Sequence, residues 1–270
     1  MSTEKVQFTK ERETLLFTLH GKALQSLLED PVLPDKWAVE AVSRIDYDFG
    51  KLKTRSYESR LIAIRSREFD MWTSAFLGKN PSGTVLHLGC GLDSRVFRVN
   101  PPMSVRWFDV DYPEVIDLRR RLFPKRSGYH MIGTALEDPG WETQVPRDQP
   151  ALIVAEGVMM YLTDEIVRPL LNRLTAHFPG GELVFDAWNN MTLRVAQRRG
   201  IKGTGATFGW AIDDPQDIKK LEPRLELTKE LRASEMVAFS RMPLWSRILV
   251  HVMDPIPALR RANRILIYRF

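Results

Sequence analysis

The sequence predicts an α/β fold on a mostly parallel sheet, and three stretches carry that expectation. Thr84–Leu88 reads as a short apolar strand running into the tight turn Gly89-Cys90-Gly91 and a helix that starts near Asp93. Val105–Val110 reads as a second strand ending in acid, with Asp109 and Asp111 about twenty residues beyond the glycines. Ala151–Ala155 is an unbroken apolar run, as a central parallel strand buried on both faces requires. Strand, glycine turn, short helix and acid-tipped strand together open a Rossmann-like unit. Glycine at 89 and 91 lets the chain turn sharply and approach a ligand where a Cβ would collide.

Hydrophobic spacing and punctuation supply the other elements in order. Within residues 11–28, Leu15, Leu16, Leu19, Ala23 and Leu27 recur at intervals that predict one helical face. Asp30-Pro31 and Leu33-Pro34 break that helix. A second helix covers about Lys36–Arg44, and a third, amphipathic one runs roughly from Tyr57 to Phe76. Residues 1–80 therefore form an N-terminal helical cap, of the kind that closes over a cofactor. Pro113 at a first helical position opens a helix over 114–123. Tyr129–Gly133 is a third strand, leading into a turn-rich loop from Thr134 to Trp141. A helix over 164–177 and the turn Pro179-Gly180-Gly181 precede a strand at Glu182–Asp186. The stretch 191–221 holds the basic, glycine-rich run Arg198–Gly205 and is too short for its own core, which predicts a lid or substrate-side insertion. Leu225–Leu231 and Arg264–Arg269 predict strands that complete the sheet within 222–270. The reading is one domain over 1–270, with 84–190 as its cofactor-binding core.

Composition narrows the function. The 270 residues carry a net charge of +5. No apolar run is long enough to span a bilayer, and the charged N-terminus lacks a signal peptide's apolar core. The single cysteine, Cys90, cannot form an internal disulfide, which predicts a cytoplasmic home. Basic residues are dispersed except for Arg119–Arg121, Lys125 and Arg126, which fit a solvated helix face. Without an RNP pattern, zinc spacing or helix-turn-helix signature, no nucleic-acid partner is expected. No metal constellation is present either, and the oligomeric state is left open.

The chemistry-bearing positions cluster at predicted strand ends. An acid closing the second strand can accept both hydroxyls of a ribose. A pyrophosphate-binding turn calls for a third glycine, and Ser94 stands there instead. S-adenosylmethionine, a nucleoside without a pyrophosphate, fits that departure better than NAD does. Ala151–Ala155 ends in Glu156-Gly157-Val158-Met159-Met160-Tyr161-Leu162, at the edge where open α/β sheets bind ligands. Asp186 and Trp188 sit at another such end. In the third helix Arg60 and Arg65, about 140° apart around the axis, are candidates to fork onto a carboxylate. No histidine stands at a motif position; His87 lies inside a core strand and reads as structural.

Four stretches carry a family resemblance: Asp46–Phe49, Ile64–Asp70, Leu88–Ser94 with Phe108–Pro113, and Ala155–Leu162. The chain resembles the leucine carboxyl methyltransferase family, on the branch of bacterial polyketide O-methyltransferases of the tetracenomycin type. The resemblance covers most of residues 15–190. It implies a Rossmann-like methyltransferase fold, with a mostly parallel seven-stranded sheet, a final antiparallel strand and an N-terminal helical cap. It also implies S-adenosylmethionine as cofactor and S-adenosylhomocysteine as product. By position it implies that Arg60 or Arg65 meets the cofactor carboxylate. Gly89 and Gly91 would form the turn, Asp111 with neighbouring Asp109 would meet the ribose, and Glu156 would lie beside the cofactor. Tyr161 falls near the acceptor as the catalytic candidate, and Lys22 approaches the site. Relatives often hold adenine with an Asp-Leu pair; here Ala135-Leu136 stands in its place, leaving Leu136 with backbone, Glu137 or Asp138 for that contact.

The expected reaction is methyl transfer to a carboxylate or phenol oxygen of a small-molecule acceptor. A carboxylate needs no base at neutral pH, whereas a phenol with a pKa near ~10 gains from one. Met160, Trp188 and Trp210, with Phe208, favour an apolar, aromatic-lined acceptor pocket over a peptide groove. Three alternatives compete: a protein C-terminal carboxylate as acceptor, an NAD-dependent oxidoreductase, and a non-catalytic ligand-binding protein.

Overall fold

The computed structural model describes residues 4–5, 13–199 and 207–270. Its sheet has seven strands: β1 (Thr84–Leu88), β2 (Arg106–Asp111), β3 (Tyr129–Gly133), β4 (Ala151–Ala155), β5 (Gly181–Trp188), β6 (Glu226–Arg232) and β7 (Asn263–Arg269). They lie in the order β3-β2-β1-β4-β5-β7-β6. The first five run parallel, and β7 is antiparallel to both β5 and β6. The predicted final antiparallel strand is therefore β7. A further two-residue parallel pairing of Glu4–Lys5 with Ile45–Asp46 lies outside this sheet.

Around it pack α1 (Glu13–Ser26), α2 (Lys36–Arg44), α3 (Ser56–Lys79), α4 (Arg95–Val99), α5 (Pro113–Leu122), α6 (Asp164–His177), α7 (Asn190–Arg199), α8 (Leu244–Met253) and α9 (Pro257–Arg260). Every residue of β1 and β4 is buried, as strands covered on both faces require; β4 is an unbroken apolar run, whereas β1 buries Thr84 and His87 with its apolar residues. Alternation sends Leu86, Leu88 and Ile153 into one core layer with Leu170 and Leu174 of α6. Val85, Trp107, Leu152 and Val154 enter the opposite layer, with Ile64, Phe69 and Phe76 of α3. A third cluster joins Leu16, Leu19 and Ala23 of α1 to Ala38 and Ala41 of α2 and Leu118 of α5.

Two boundaries shift in a way that matters for the site. β2 runs one residue past its predicted end, because Asp111 still pairs with Gly133 of β3. β5 continues to Trp188, whose register partner on β7 is Asn263. The helical turns of α8 and α9 had no counterpart in the sequence reading, and most of the Arg198–Gly205 run lies outside the described residues. Among the described residues, no helix is long and apolar enough to cross a membrane.

Candidate active site

Three glycines shape the carboxyl edge of the sheet. Gly89 and Gly91 follow β1 at φ of 52° and 51°, and Gly157 follows β4 at 69°. A Cβ on Gly89 would sit 2.4 Å from Val158 Cγ2, and one on Gly91 would sit 2.8 Å from Leu15 Cδ2 of α1. Conformation and close approach both require glycine there.

Glu156, the residue after β4, is the hub. Its Oε1 accepts from Arg65 Nε at 3.0 Å and Ser66 Oγ at 2.8 Å. Its Oε2 pairs with Arg95 Nη2. Burial pushes the Glu156 carboxyl up, but Lys22, Arg65 and Arg95 outweigh it and hold the group well below the usual carboxylate range. Asp186 on β5 accepts from Arg65 Nη1 at 2.9 Å and from the Gly157 amide at 2.6 Å. Burial raises its pKa. Arg65 is thus fixed through two of its three nitrogens. The third, Nη2, lies over Gly157 and donates to none of the described residues.

A second ring of charge lies behind this one. Lys22 Nζ meets Asp93 Oδ2 at 2.7 Å. Arg98 reaches Asp93 at 2.6 Å, Asp70 at 2.7 Å and Asp35 at 2.8 Å. Arg95 meets Asp70 at 2.8 Å and Asp93 at 3.2 Å. The carboxylates Asp35, Asp70, Asp93, Glu156 and Asp186 therefore face Lys22, Arg65, Arg95 and Arg98, one negative charge in excess. Asp111 closes the other side of the glycine turn, accepting from the Gly91 amide at 2.7 Å and the Tyr112 amide at 2.8 Å. The next loop is tied to the same strand end by Thr134 N donating to Asp111 O at 2.9 Å.

Beside Arg65, Tyr161 is half-buried in a turn after β4, and its hydroxyl is hydrogen-bonded to Thr14 of α1. Its ring stacks on Phe208 at 5.1 Å, and Phe208 meets Trp188 at 4.9 Å. Met160, Leu193 and Phe208 are the buried members of this cluster. Burial raises the Tyr161 pKa, so at neutral pH it is a phenol and no base.

Four of the expected site residues fall elsewhere. Asp109 is 1% exposed, and Arg119, Tyr129 and Trp107 already engage both of its oxygens. It is a buried anchor and not a ribose ligand; Asp111, two residues further on the same strand face, sets its oxygens against the amides of the glycine turn and Tyr112, which leaves it as the ribose candidate. Arg60 donates to the Arg241 carbonyl at 2.8 Å, on another side of α3 from Glu156, which leaves Arg65 as the carboxylate candidate. Trp210 lies in the main core against Phe185, its indole donating to Asp164 at 3.0 Å, so it does not line the aromatic cluster. Leu136 turns its side chain into the same core while its carbonyl accepts from Arg173 at 2.9 Å. The structure brings the others together: Lys22, Arg65, Gly89, Gly91, Asp111 and Glu156 around the turn, and Met160, Tyr161 and Trp188 beside it. Ser66, Asp70, Arg95 and Arg98 were missed. Their only sequence signal is the spacing of Arg95 and Arg98, which puts both on one face of α4.

The residues present fit an adenosyl amino acid. The glycine turn is a cradle that a Cβ would fill, Arg65 keeps a free donor, and the one-charge excess suits a ligand bearing a sulfonium, an ammonium and a carboxylate. The family profile described as leucine carboxyl methyltransferase matches residues 17–175. Tetracenomycin polyketide synthesis O-methyltransferase TcmP of Streptomyces glaucescens is 41% identical over 99% of both chains. An S-adenosyl-L-methionine-dependent methyltransferase, dpfgK of Gibberella zeae, is 33% identical over 84% of both. In fold, the CcbJ methyltransferase of Streptomyces caelestis superposes with a TM-score of 0.50 at 14% identity, covering 75% of this chain and 88% of its own. These likenesses decide for methyl transfer over nicotinamide-dependent oxidation. The chain belongs to the leucine carboxyl methyltransferase family and is an S-adenosylmethionine-dependent O-methyltransferase.

Proposed function

We propose that this enzyme methylates a carboxylate or phenol oxygen on a small aromatic, polyketide-like acceptor, with the cofactor held between Arg65, Glu156, the Gly89–Gly91 turn and Asp111. One observation carries the acceptor class: the Tyr161–Phe208–Trp188 aromatic cluster adjoins Arg65 and Asp186 at the same sheet edge. The whole-chain likeness to a polyketide O-methyltransferase supports it. Within a single domain, the N-terminal helices act as a cap and the segment 191–221, of which 200–206 lie outside the described residues, as a lid or substrate-side insertion. The setting is the cytoplasm.

When bound, S-adenosylmethionine supplies an activated methyl group on a sulfonium. Arg65 Nη2 would take the cofactor's carboxylate, Asp111 its ribose hydroxyls, and the loop after Thr134 its base. Tyr161 and Trp188 would hold an aromatic ring face to face or edge on. α1 touches both halves of the site, through Leu15 over Gly91, Lys22 on Asp93 and Thr14 on Tyr161. It can therefore exclude water from both at once. Proximity, alignment and desolvation are what these residues contribute. A carboxylate acceptor is already ionised at neutral pH and asks for no base.

The test is methyl transfer from labelled cofactor to a panel of fused-ring carboxylates and phenols, with a leucine-terminated peptide alongside. Turnover of the ring compounds and none of the peptide is expected. Turnover of the peptide alone would replace this reading with a protein carboxyl methyltransferase.

A further inference from the structure

Beneath the glycine turn, one buried imidazole joins two clusters that the site needs. His87 on β1 is 1% exposed. Its register partner on β2 is Asp109. Its Nε2 lies 3.0 Å from Arg95 Nη1, and its Nδ1 lies 3.3 Å from Asp109 Oδ1. A guanidinium can only donate, so Nε2 must accept, and the single ring proton sits on Nδ1, close to the carboxylate but without a hydrogen bond among the described residues. On one side, Arg95 holds Glu156 Oε2. On the other, Asp109 pairs with Arg119 Nη2, and Arg119 Nη1 donates to the carbonyls of Gly91 and Asp93 at 2.8 Å each. Those carbonyls belong to the turn whose Gly91 amide is aimed at Asp111. Glu156, Arg95, His87, Asp109, Arg119 and the glycine turn thus form one continuous chain of contacts beneath the carboxyl edge of the sheet.

We propose that His87, as a neutral imidazole in its Nδ1–H tautomer, is a positioning residue that sets the Glu156 side of the cofactor site against the glycine turn through Arg95 and Asp109–Arg119. This deepens, and rests on, the placement of the cofactor between Glu156 and Asp111. A phenylalanine would fill the volume, and a hydrophobic isostere could do so without loss if packing were its only role. A histidine is needed because one ring must accept from a fixed cation at Nε2 and present its Nδ1–H to a fixed carboxylate 3.3 Å away, an electrostatic contact outside hydrogen-bond geometry. Burial and the Arg95 charge oppose a second proton; Asp109 and Asp93 favour one. Burial is the largest of these influences, and the net direction is downward, so the ring stays neutral.

Two measurements on the full chain test this. The ring nitrogens of His87, labelled with nitrogen-15, are followed in the free protein between pH 5.5 and 8. A fixed pattern with the proton on Nδ1 is expected; an Nε2–H tautomer, or a ring that titrates normally, would overturn the proposal. S-adenosylhomocysteine is then titrated calorimetrically into wild type, His87→Asn, His87→Gln and His87→Phe. Asparagine restores only the donor toward Asp109, and glutamine only the acceptor for Arg95. Each is expected to lose roughly tenfold in affinity and phenylalanine more, the range seen for residues that orient ligating groups. Folded H87F binding as wild type would overturn the proposal, and if H87F does not fold, the two amide variants decide in its place. An Asp111→Ala control separates the layers: if it too binds normally, the placement of the cofactor has failed and not merely the role of His87.

Discussion

The two halves of the site are built on opposite principles. Around Glu156, nearly every polar atom has a named partner at hydrogen-bond distance, and charge is nearly balanced. Around Phe208 the contacts are ring on ring at about the 5 Å that aromatic pairs prefer, and shape alone selects. A buried charged cluster tolerates little change, because removing one member strands its partners. A packed aromatic cluster can be remodelled one side chain at a time. On the proposed assignment, the charged half defines the reaction, and the aromatic half is where a different substrate could be accommodated.

The strongest way to break this comparison is Arg65→Ala. It leaves Glu156 short of one cation and Asp186 without its only ion-pair partner among the described residues. A stability loss of ~3–5 kcal/mol by denaturant titration is expected, with cofactor binding abolished. Next comes acid. Burial pushes Asp109 up, yet Arg119, His87 and Tyr129 hold it down to about 2. A lowered folded-state pKa gives stability that is complete above the unfolded value near ~3.9 and is lost as pH falls toward about 2. Wild type should lose roughly 2–3 kcal/mol across that window, and Asp109→Asn should lack that component. Asp186 and Asp111 work in the other direction, since burial raises them, and soften the total.

Gly157→Ala is a finer probe. The new Cβ would sit 3.4 Å from Arg65 Nη2, an ordinary contact, so the cost lies in the backbone at φ 69° and amounts to ~1–2 kcal/mol. Thermal unfolding reads it. On the other half, Phe208→Ala should raise the acceptor KM several-fold and leave cofactor affinity within about twofold; single-turnover and steady-state assays distinguish the two. Smallest of all, Arg60→Ala should leave both parameters unchanged within about twofold, because its guanidinium donates to the Arg241 carbonyl on another side of α3 from Glu156.

How much of this was legible in the sequence follows the same division. The glycine turn, Asp111 and Glu156 could be read because each is local: a strand, its end and the next few residues. Asp109 and Asp111 share a strand face, and only the exact end of β2 decides which carboxylate lies against the glycine turn. Arg60 and Arg65 share a helix, and only the rotation of α3 against the sheet decides which one reaches Glu156. Trp188 and Trp210 look alike in sequence, yet one stacks on Phe208 and the other sits against Phe185. The Arg95–Glu156 pair spans 61 positions and Arg65–Asp186 spans 121, distances over which no periodicity carries information.

The measurement that bears most directly on the two-part site is a calorimetric titration of S-adenosylhomocysteine into wild type, Arg65→Ala and Phe208→Ala. The account predicts loss of at least ~100-fold in affinity for Arg65→Ala, the ~3 kcal/mol or more of a stranded charged hydrogen bond. Phe208→Ala should bind as wild type does. Equal losses in both variants, or a loss only in Phe208→Ala, would contradict the division of the site and place the cofactor among the aromatic side chains instead.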